Sequence, residues 1–271
     1  MIILLGQKQD NVIRHVASYL KQKQQPFVFI NQDRVGQEVK YTFDKWFLAG
    51  EYLRDDQIQG VFNRWILPED GYLNQHQRRL LYCLDYFWPN VLNKPQSHCS
   101  NTSKPYQMDK IKSFGLQVPE SFIYRGNALV LPDGAWIYKS ISGVRSIVER
   151  CQTTSMSVKE PVLFQRYIKG VNIRLHLTSQ RSVAIGIVSD DVDYRYSSNT
   201  HTVNIDLPIA LIDQCQSMRQ ALDLAFCGID LILSEGIYYV LEVNPMPAYC
   251  YFEQLSGQLD ITEAVFGALM Q

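Results

Sequence analysis

The sequence predicts a mixed α/β or α+β fold, and three observations support this class. The chain opens with a β-α-β pattern, in which apolar runs at residues 2–5 and 27–30 flank a segment whose apolar residues recur at helical spacing. Strand-like and helix-like segments then mix along the chain without repeats or low-complexity tracts. Near the end, residues 228–245 form two apolar stretches around a tight turn at residues 234–236, which is typical of a β-hairpin.

Length, composition and charge narrow the class of protein. The 271 residues are 46% hydrophobic, which is ample for a core, and the length alone predicts about two domains. A net charge of −1 provides no overall field to attract nucleic acid or an anionic membrane, so neither is expected as a partner. No apolar stretch approaches the about 20 residues of a membrane-spanning helix. The six cysteines include no C-x-x-C pair, and we expect a reduced, cytoplasmic protein.

The N-terminal part continues the α/β pattern. Its first two apolar runs are predicted to be parallel strands joined by a right-handed helical crossover. Residues 60–65 predict another strand, and residues 72–88 predict a helix that ends before Pro89. The polar stretch 91–103, which contains Pro95, indicates a boundary.

The rest of the chain is predicted to alternate strands with a few helices. The predicted elements are helices at 106–114 and 211–225 and from about residue 262, and strands at 121–124, 135–139, 161–168, 172–177 and 182–188. Two polar stretches, 140–160 and 190–204, are predicted loops. Asn172, Arg174 and His176 alternate with apolar residues and therefore share one face of a strand. His176 is interpreted as an ordinary sheet residue with no assigned role.

Three polar side chains interrupt the apolar hairpin near the end of the chain. Glu242 and Asn244 are two residues apart and share a face of their strand. A three-residue loop places Asp230 opposite Val240 and on that same face, whereas a two-residue loop would place it on the other face. Two carboxylates and an amide among buried apolar neighbours are costly unless a cation lies between them. Oxygen ligands of this kind suit Mg²⁺, which is usually shared with a phosphate.

Basic side chains at the ends of predicted elements complement this acidic patch. Lys104 lies near a helix start, Lys139 ends a strand, and Arg174 and Arg195 follow. Cations beside a Mg²⁺ site suit a polyphosphate, because both neutralise the charge that develops when a phosphoryl group moves. The chain lacks G-x-G-x-x-G, the P-loop motif and the His-Arg-Asp and Asp-Phe-Gly motifs of protein kinases.

The order of the motifs along the chain is itself informative. Lys104 precedes a helix and Gly-Leu-x-Val-Pro, Lys139 follows, and residues 164–174 read Phe-Gln-Arg-Tyr-Ile-x-Gly-x-Asn-Ile-Arg. The chain then has Gly-Ile-Asp and Leu-Glu-Val-Asn-Pro in the closing hairpin. Over nearly its whole length the sequence resembles the ATP-grasp superfamily, in particular RimK-type ligases and the ATP-grasp enzymes that crosslink ribosomal peptides. Residues 63–65 (Asn-Arg-Trp) and 92–95 (Leu-Asn-Lys-Pro) stand where the peptide-maturing members carry similar segments.

The resemblance implies an ATP-grasp fold in three parts. An N-terminal β-α-β, Rossmann-like pre-domain would span residues 1–93, a small central domain residues 94–168, and a C-terminal domain residues 169–271. The C-terminal domain would hold one or two Mg²⁺ ions through Asp230, Glu242 and Asn244.

The resemblance also assigns residues to ATP. Those implied to contact it are Lys104, Lys139, Gln165, Arg166, Tyr167, Ile168 and Asn172. The two lysines would contact the phosphates, with Lys139 also reaching towards the adenine. Arg166 and Tyr167 would hold the adenine mostly through backbone groups, and Asn172 stands where RimK-type members usually have an aspartate.

The implied reaction is ATP-driven ligation. A carboxylate would attack the γ-phosphate to form an acyl phosphate, and an amine or hydroxyl would then displace phosphate, with Arg174 and Arg195 binding the γ-phosphate and the acyl phosphate. The substrates would be peptide or small-molecule carboxylates and amines. Two alternatives remain: a scaffold that binds ATP without turnover, and an ATP-grasp kinase that leaves a stable phosphorylated product. The sequence does not identify the acceptor. It also does not determine the oligomeric state, for which a homo-oligomer is one alternative.

Overall fold

The computed structural model describes residues 1–42, 45–66, 72–88, 90–97, 103–141, 148–152, 155–188 and 201–271. Within these ranges the strands form one parallel and three antiparallel sheets, with helices packed on them. The predicted mixed α/β class is therefore confirmed. None of the described helices is long and apolar enough to cross a membrane.

The N-terminal part is built on a four-stranded parallel sheet in the order β2-β1-β6-β7. Its elements are β1 (Ile2–Gly6), α1 (Asn11–Gln22), β2 (Phe27–Asn31), α2 (Val35–Glu38), β3 (Val39–Thr42), β4 (Lys45–Leu48), β5 (Glu51–Leu53), β6 (Gly60–Asn63), α3 (Gln75–Tyr86) and β7 (Val91–Leu92). Strands β3, β4 and β5 form a separate antiparallel sheet. Helix α1 begins where Asp10 accepts hydrogen bonds from the backbone N–H groups of Val12 (2.7 Å) and Ile13 (3.2 Å).

The central part is an antiparallel sheet in the order β10-β9-β11-β8, preceded by one helix. Its elements are α4 (Lys104–Ser113), β8 (Ser121–Val130), β9 (Trp136–Ser140), β10 (Val148–Arg150) and β11 (Ser155–Arg166). Helix α4 begins at Lys104 because Ser103 caps it and Pro105 lies in its first turn, where the missing N–H costs nothing. One face of this sheet packs Trp136 and Phe164 into a small core of its own.

The C-terminal part is an antiparallel sheet in the order β14-β13-β12-β15-β16. Its elements are β12 (Val171–Thr178), β13 (Ser182–Val188), β14 (His201–Asn204), α5 (Ile209–Ala221), β15 (Phe226–Ser234), β16 (Ile237–Asn244), α6 (Cys250–Ser256) and α7 (Asp260–Leu269). One face of this sheet packs against α5 in a continuous apolar core that includes Leu175, Ile229 and Val243.

The last two helices connect the C-terminal sheet to the first sheet of the chain. Phe252 of α6 and Val265 of α7 share one core cluster with Ile2 and Leu4 of β1 and with Ile185 of β13. The parallel sheet and the C-terminal sheet are therefore held together by a common apolar core rather than by a flexible connection.

Several strands run through stretches that the sequence did not predict as strands, and β10 lies wholly within the predicted loop 140–160. Strand β8 continues to Val130, β11 begins at Ser155 within the predicted loop 140–160, and β14 occupies the end of the predicted loop 190–204. These segments are polar, so their apolar periodicity is weak, and the backbone pairing of neighbouring strands defines them instead.

Candidate active site

The closing hairpin has a shorter loop than its sequence predicts. Ser234 pairs with Ile237, so only Glu235 and Gly236 form the loop. Both residues have positive φ angles, 49° and 79°, as a type I′ turn requires. The expected three-residue loop, with Asp230 opposite Val240, is therefore wrong.

A β-bulge nevertheless brings the three polar side chains to one face. Val240 pairs with Leu231, but Glu242 pairs with Asp230, so Leu241 is an extra residue on β16. A two-residue loop alone would place Asp230 on the opposite face. The bulge adds a second shift of one residue, which returns Asp230 to the face of Glu242 and Asn244. Asp230 and Glu242 lie directly opposite each other, and Asn244 follows on the same face.

Arg174 extends this pair into a row across three strands. It pairs with Asp230 in the register of β12 and β15, and Asp230 pairs with Glu242 on β16. The Nη1 atom of Arg174 lies 2.7 Å from Oδ1 of Asp230, and the side chains are 11% and 29% exposed. The arginine end of the row is therefore mostly buried, whereas Asp230 is partly exposed to solvent.

The neighbouring row contains His176, Gly228 and Asn244. A Cβ atom added at Gly228 would lie 2.7 Å from Cβ of Pro247 and 3.6 Å from Nη1 of Arg174. This glycine thus allows the chain after Asn244 to lie directly on β15.

His176 is a buried side chain on the same strand and face as Arg174. Its ring stacks on Phe226 at 6.2 Å between centroids and contacts the rings of Tyr249 and Phe252. Neither ring nitrogen has a hydrogen-bond partner within the described part of the chain. Burial, and to a lesser extent the Arg174 guanidinium, lower the pKa of His176 well below its ordinary value.

The two predicted phosphate-binding lysines lie at the same end of the central sheet. Lys139 is a buried residue of β9 and pairs with Leu163 of β11. The backbone N–H of Lys104 donates to the carbonyl oxygen of Ile141 at 3.1 Å. The start of α4 therefore adjoins the end of β9.

Two side chains of the predicted adenine-binding strand, Gln165 and Arg166, make contacts within the protein. The side-chain Nε2 of Gln165 donates to Oγ of Ser121 at 3.2 Å, in the core between β11 and β8. The guanidinium of Arg166 forms an ion pair with Glu120 at 3.0 Å and lies over the ring of Trp136. The side chain of Gln165 therefore lies in the core, and the side chain of Arg166 lies against Glu120 and Trp136.

Two backbone N–H groups of this segment also donate hydrogen bonds within the protein. The N–H of Arg166 donates to the carbonyl oxygen of Glu120 at 2.8 Å, and the N–H of Tyr167 donates to that of Ala135 at 2.9 Å. Ile168 follows, half-buried, outside any strand. Asn172 is half-buried on β12, on the same face as Arg174.

Gln107, which no sequence pattern singles out, joins α4 to β16. Its Nε2 donates to the carbonyl oxygen of Val243 at 2.7 Å, and its Oε1 accepts from the N–H of Val243 at 2.9 Å. Val243 lies between Glu242 and Asn244, and Gln107 lies on the helix that begins with Lys104. The two partners are 136 residues apart in sequence, so no local pattern indicates the contact.

Other expected features lie outside the described residues. Arg195 is among them, as are residues 142–147 of the stretch after Lys139. Within the described ranges no three His, Cys, Asp or Glu side chains cluster as a metal site, and the Asp230–Glu242–Asn244 set has two carboxylates and one amide.

Comparisons with known proteins point in one direction. The family model described as the ATP-grasp domain matches residues 101–248. N-acetylaspartylglutamate synthase A of Mus musculus is 25% identical over an alignment of 191 residues, and the match covers 60% of this chain and 50% of that protein. The chain thus spans about half the length of the curated relative.

Solved structures match over nearly the whole chain. The ATP-grasp ligase PsnB, solved with a minimal precursor, has a TM-score of 0.79 at 21% identity and covers 99% of this chain and 97% of its own. The macrocyclase MdnC of Microcystis aeruginosa MRC, solved with precursor peptide MdnA, has a TM-score of 0.73 at 16% identity and covers both chains fully. These likenesses confirm the predicted ATP-grasp fold. Because the family match covers more than half of the 271 residues, this protein belongs to the ATP-grasp domain family.

Proposed function

We propose that this protein is an ATP-dependent ligase that joins a carboxylate to an amine or hydroxyl through an acyl phosphate and releases ADP and phosphate. The observation that supports this best is the row Arg174–Asp230–Glu242 with Asn244 beside it. The proposal includes the division into parts at residues 1–93, 94–168 and 169–271.

The chemistry of the donor set fits Mg²⁺. Asp230, Glu242 and Asn244 offer two carboxylates and an amide oxygen on one sheet face that is partly open to solvent. When bound there, Mg²⁺ would supply positive charge that offsets the negative charge of the phosphates. The matched ligase PsnB has been solved with Mg and ADP.

The cationic residues are suited to hold a triphosphate beside that site. Lys104 and Lys139 would bind its phosphates from the end of the central sheet. The adenine would lie at residues 165–168. Since the N–H groups of Arg166 and Tyr167 already donate within the protein, contacts there would come from other backbone groups, those of Ile168 included. Asn172 would contact the nucleotide from β12.

The proposed reaction conserves atoms and charge through two transfers. A carboxylate oxygen of the substrate attacks the γ-phosphorus, the bond to the β-phosphate oxygen breaks, and ADP leaves. The amine then attacks the carbonyl carbon, loses a proton, and phosphate leaves with the original carboxylate oxygen. Arg174 and Arg195 would stabilise the charge on the transferred phosphoryl group and on the acyl phosphate.

The proposed substrates are peptides or amino acids. PsnB and MdnC were both solved with precursor peptides, and they cover nearly all of this chain. The curated relative is named N-acetylaspartylglutamate synthase A. A peptide or amino-acid carboxylate and an amine are therefore the substrate classes to test first.

An isotope experiment tests the proposal. The protein is incubated with MgATP, pools of peptides whose carboxylates carry ¹⁸O, and pools of amines. We expect ADP, inorganic phosphate containing one ¹⁸O, and product formation only when both pools are present. ATP turnover to AMP would contradict the proposal.

The same experiment separates the two alternatives. A binding scaffold would bind ATP and release no ADP with any pool, and a kinase would leave a stable phosphorylated product. Asp230, Glu242 and Asn244 are suited to hold a metal ion beside Arg174, and this arrangement favours ligation over passive binding.

A further inference from the structure

Two segments noted in the sequence, residues 63–65 and 92–95, meet at one edge of the parallel sheet. Each begins at the last residue of a strand, β6 and β7 respectively, and these strands are parallel neighbours. The carboxyl ends of neighbouring parallel strands lie at the same edge of a sheet. Asn63 joins the two segments, because its Nδ2 donates to the carbonyl oxygen of Asn93 at 2.8 Å.

Asn93 connects that edge to both strands of the closing hairpin. It is buried and has a φ angle of 59°, which Asn tolerates better than most residues. Its Nδ2 donates to the carbonyl oxygens of Phe226 and Pro245, and its Oδ1 accepts from the N–H of Phe226 at 3.0 Å. Phe226 begins β15, and Pro245 directly follows Asn244.

Arg64 holds the same chain segment two residues further on. Its Nη1 donates to the carbonyl oxygen of Pro247 at 3.1 Å, and its Nε lies 2.8 Å from Oδ2 of Asp10. Both charged side chains are 9% exposed. Asp10 is fixed in turn, because its other oxygen caps α1.

The segment held in this way fixes the amide of Asn244. The N–H of Met246 donates to Oδ1 of Asn244 at 2.9 Å. Pro247 packs on Gly228, where a Cβ atom would lie 2.7 Å from Cβ of Pro247. Hydrogen bonds from the parallel sheet thus flank the residue that orients the Asn244 side chain, at Pro245 on one side and Pro247 on the other.

We propose that Asn93 and Arg64 are positioning residues for the metal site, which set the affinity for the divalent ion by holding residues 245–247 and, through them, Asn244. This inference rests on the proposed function, because it takes Asn244 as a metal ligand. Partners that orient metal ligands commonly change metal affinity by about 10-fold or more when they are removed. A purely structural role would change stability and leave metal affinity as it is.

The test compares Mn²⁺ affinity across matched variants of the full chain in the presence of ADP. Electron paramagnetic resonance of free Mn²⁺ gives the dissociation constant without any turnover. Asn93→Gly removes the amide and retains the positive φ angle. Arg64→Lys retains the charge beside Asp10 but cannot donate to Pro247 and Asp10 in the same geometry.

Asn90→Gly is the matched control. Asn90 also has a positive φ angle, 47°, and its Nδ2 donates to the carbonyl oxygen of Ala268 at 2.9 Å, away from the metal ligands. Thermal unfolding of each variant establishes that it is folded at the assay temperature.

We expect the Mn²⁺ dissociation constant to rise about 10-fold in Asn93→Gly and in Arg64→Lys, and to stay within about twofold of the unmodified protein in Asn90→Gly. Unchanged affinity in the folded Asn93→Gly and Arg64→Lys variants would overturn the inference. If Asn93→Gly does not fold, the Arg64→Lys result decides. Failure of the unmodified protein to bind Mn²⁺ with ADP would instead overturn the metal site in the proposed function.

Discussion

The two faces of the C-terminal sheet are built from alternate residues of the same strands, yet the rows of side chains at their centres differ in charge and in exposure to solvent. One face carries Leu175, Ile229 and Val243 into a continuous core under α5. The other carries Arg174, Asp230 and Glu242 in a row that reaches solvent. The first face follows from the hydrophobic effect alone. The second places charged groups in partly buried positions, which is costly for folding and fits the proposed role of this face in ligand binding.

This comparison predicts that the two faces respond differently to mutation. Substitutions on the apolar face should change stability and leave the ligand affinity of the folded protein intact. Substitutions on the polar face should change binding or turnover with a smaller effect on stability.

The largest expected effect comes from the apolar face. Leu175→Ala removes a fully buried side chain and should lower the free energy of unfolding by about 2–5 kcal/mol. Urea unfolding measures that loss. Nucleotide affinity, measured at a temperature where the variant is folded, should stay unchanged, and a parallel loss of affinity would break the proposed separation of the two faces.

Its counterpart on the polar face is Arg174→Gln. This variant removes the guanidinium beside Asp230 and should lower the rate of ADP release by about 100-fold. Arg181→Gln is the control. Arg181 lies in the turn between β12 and β13 of the same sheet and forms exposed ion pairs with Asp260 and Glu263 of α7. Equal rates in the two variants would remove Arg174 from the proposed chemistry.

A third variant tests the contact that attaches α4 to the hairpin. Gln107→Leu leaves the buried N–H and carbonyl groups of Val243 without their partner and should cost about 1–3 kcal/mol of stability. Gln214→Leu is the control, since the exposed Gln214 makes one 3.3 Å hydrogen bond to the carbonyl oxygen of Phe114. Urea midpoints that shift equally would show that the Val243 contact is not special.

The smallest expected effect concerns the pH dependence of stability. Because burial lowers the pKa of His176 in the folded state, the unfolded chain takes up this proton at higher pH than the folded chain. Stability is therefore fully present above the ordinary histidine pKa of about 6.5 and falls below it by up to about 1.4 kcal/mol per pH unit.

Replacing His176 should remove that slope. Urea unfolding of His176→Phe between pH 7.5 and 5.5 is expected to show a weaker pH dependence than the unmodified protein, whereas His76→Gln, at an exposed position, should retain it. An unchanged slope in His176→Phe would mean that the buried imidazole takes up its proton as readily in the folded state.

Sequence patterns predicted the polar face well, because alternation along a strand is a local property. Arg174 and Asn172 on β12, and Glu242 and Asn244 on β16, are each two residues apart. The placement of Asp230 was correct for the wrong reason. A two-residue loop and a bulge at Leu241 each shift the register by one residue in the same direction, so Asp230 pairs with Glu242 instead of Val240 and stays on the predicted face.

Long-range contacts explain what the sequence did not reveal. Gln107 and Val243 are 136 residues apart, and Asn93 and Pro245 are 152 residues apart. In each pair an amide side chain bonds to backbone groups, which every residue type carries, so the partner leaves no mark in the sequence. The family resemblance indicated where residues 92–95 stand along the chain, but only the structure revealed what Asn93 holds.

The most direct test of the central claim is nucleotide binding by two variants of the same hairpin. Glu242→Gln changes the carboxylate opposite Asp230, and Glu235→Gln makes the same chemical change at the exposed turn. Titration calorimetry with ADP, with and without Mg²⁺, should show that Mg²⁺ strengthens binding to Glu235→Gln as it does to the unmodified protein, and that this gain is lost in Glu242→Gln. An equal gain from Mg²⁺ in both variants would contradict the assignment of the metal to this face.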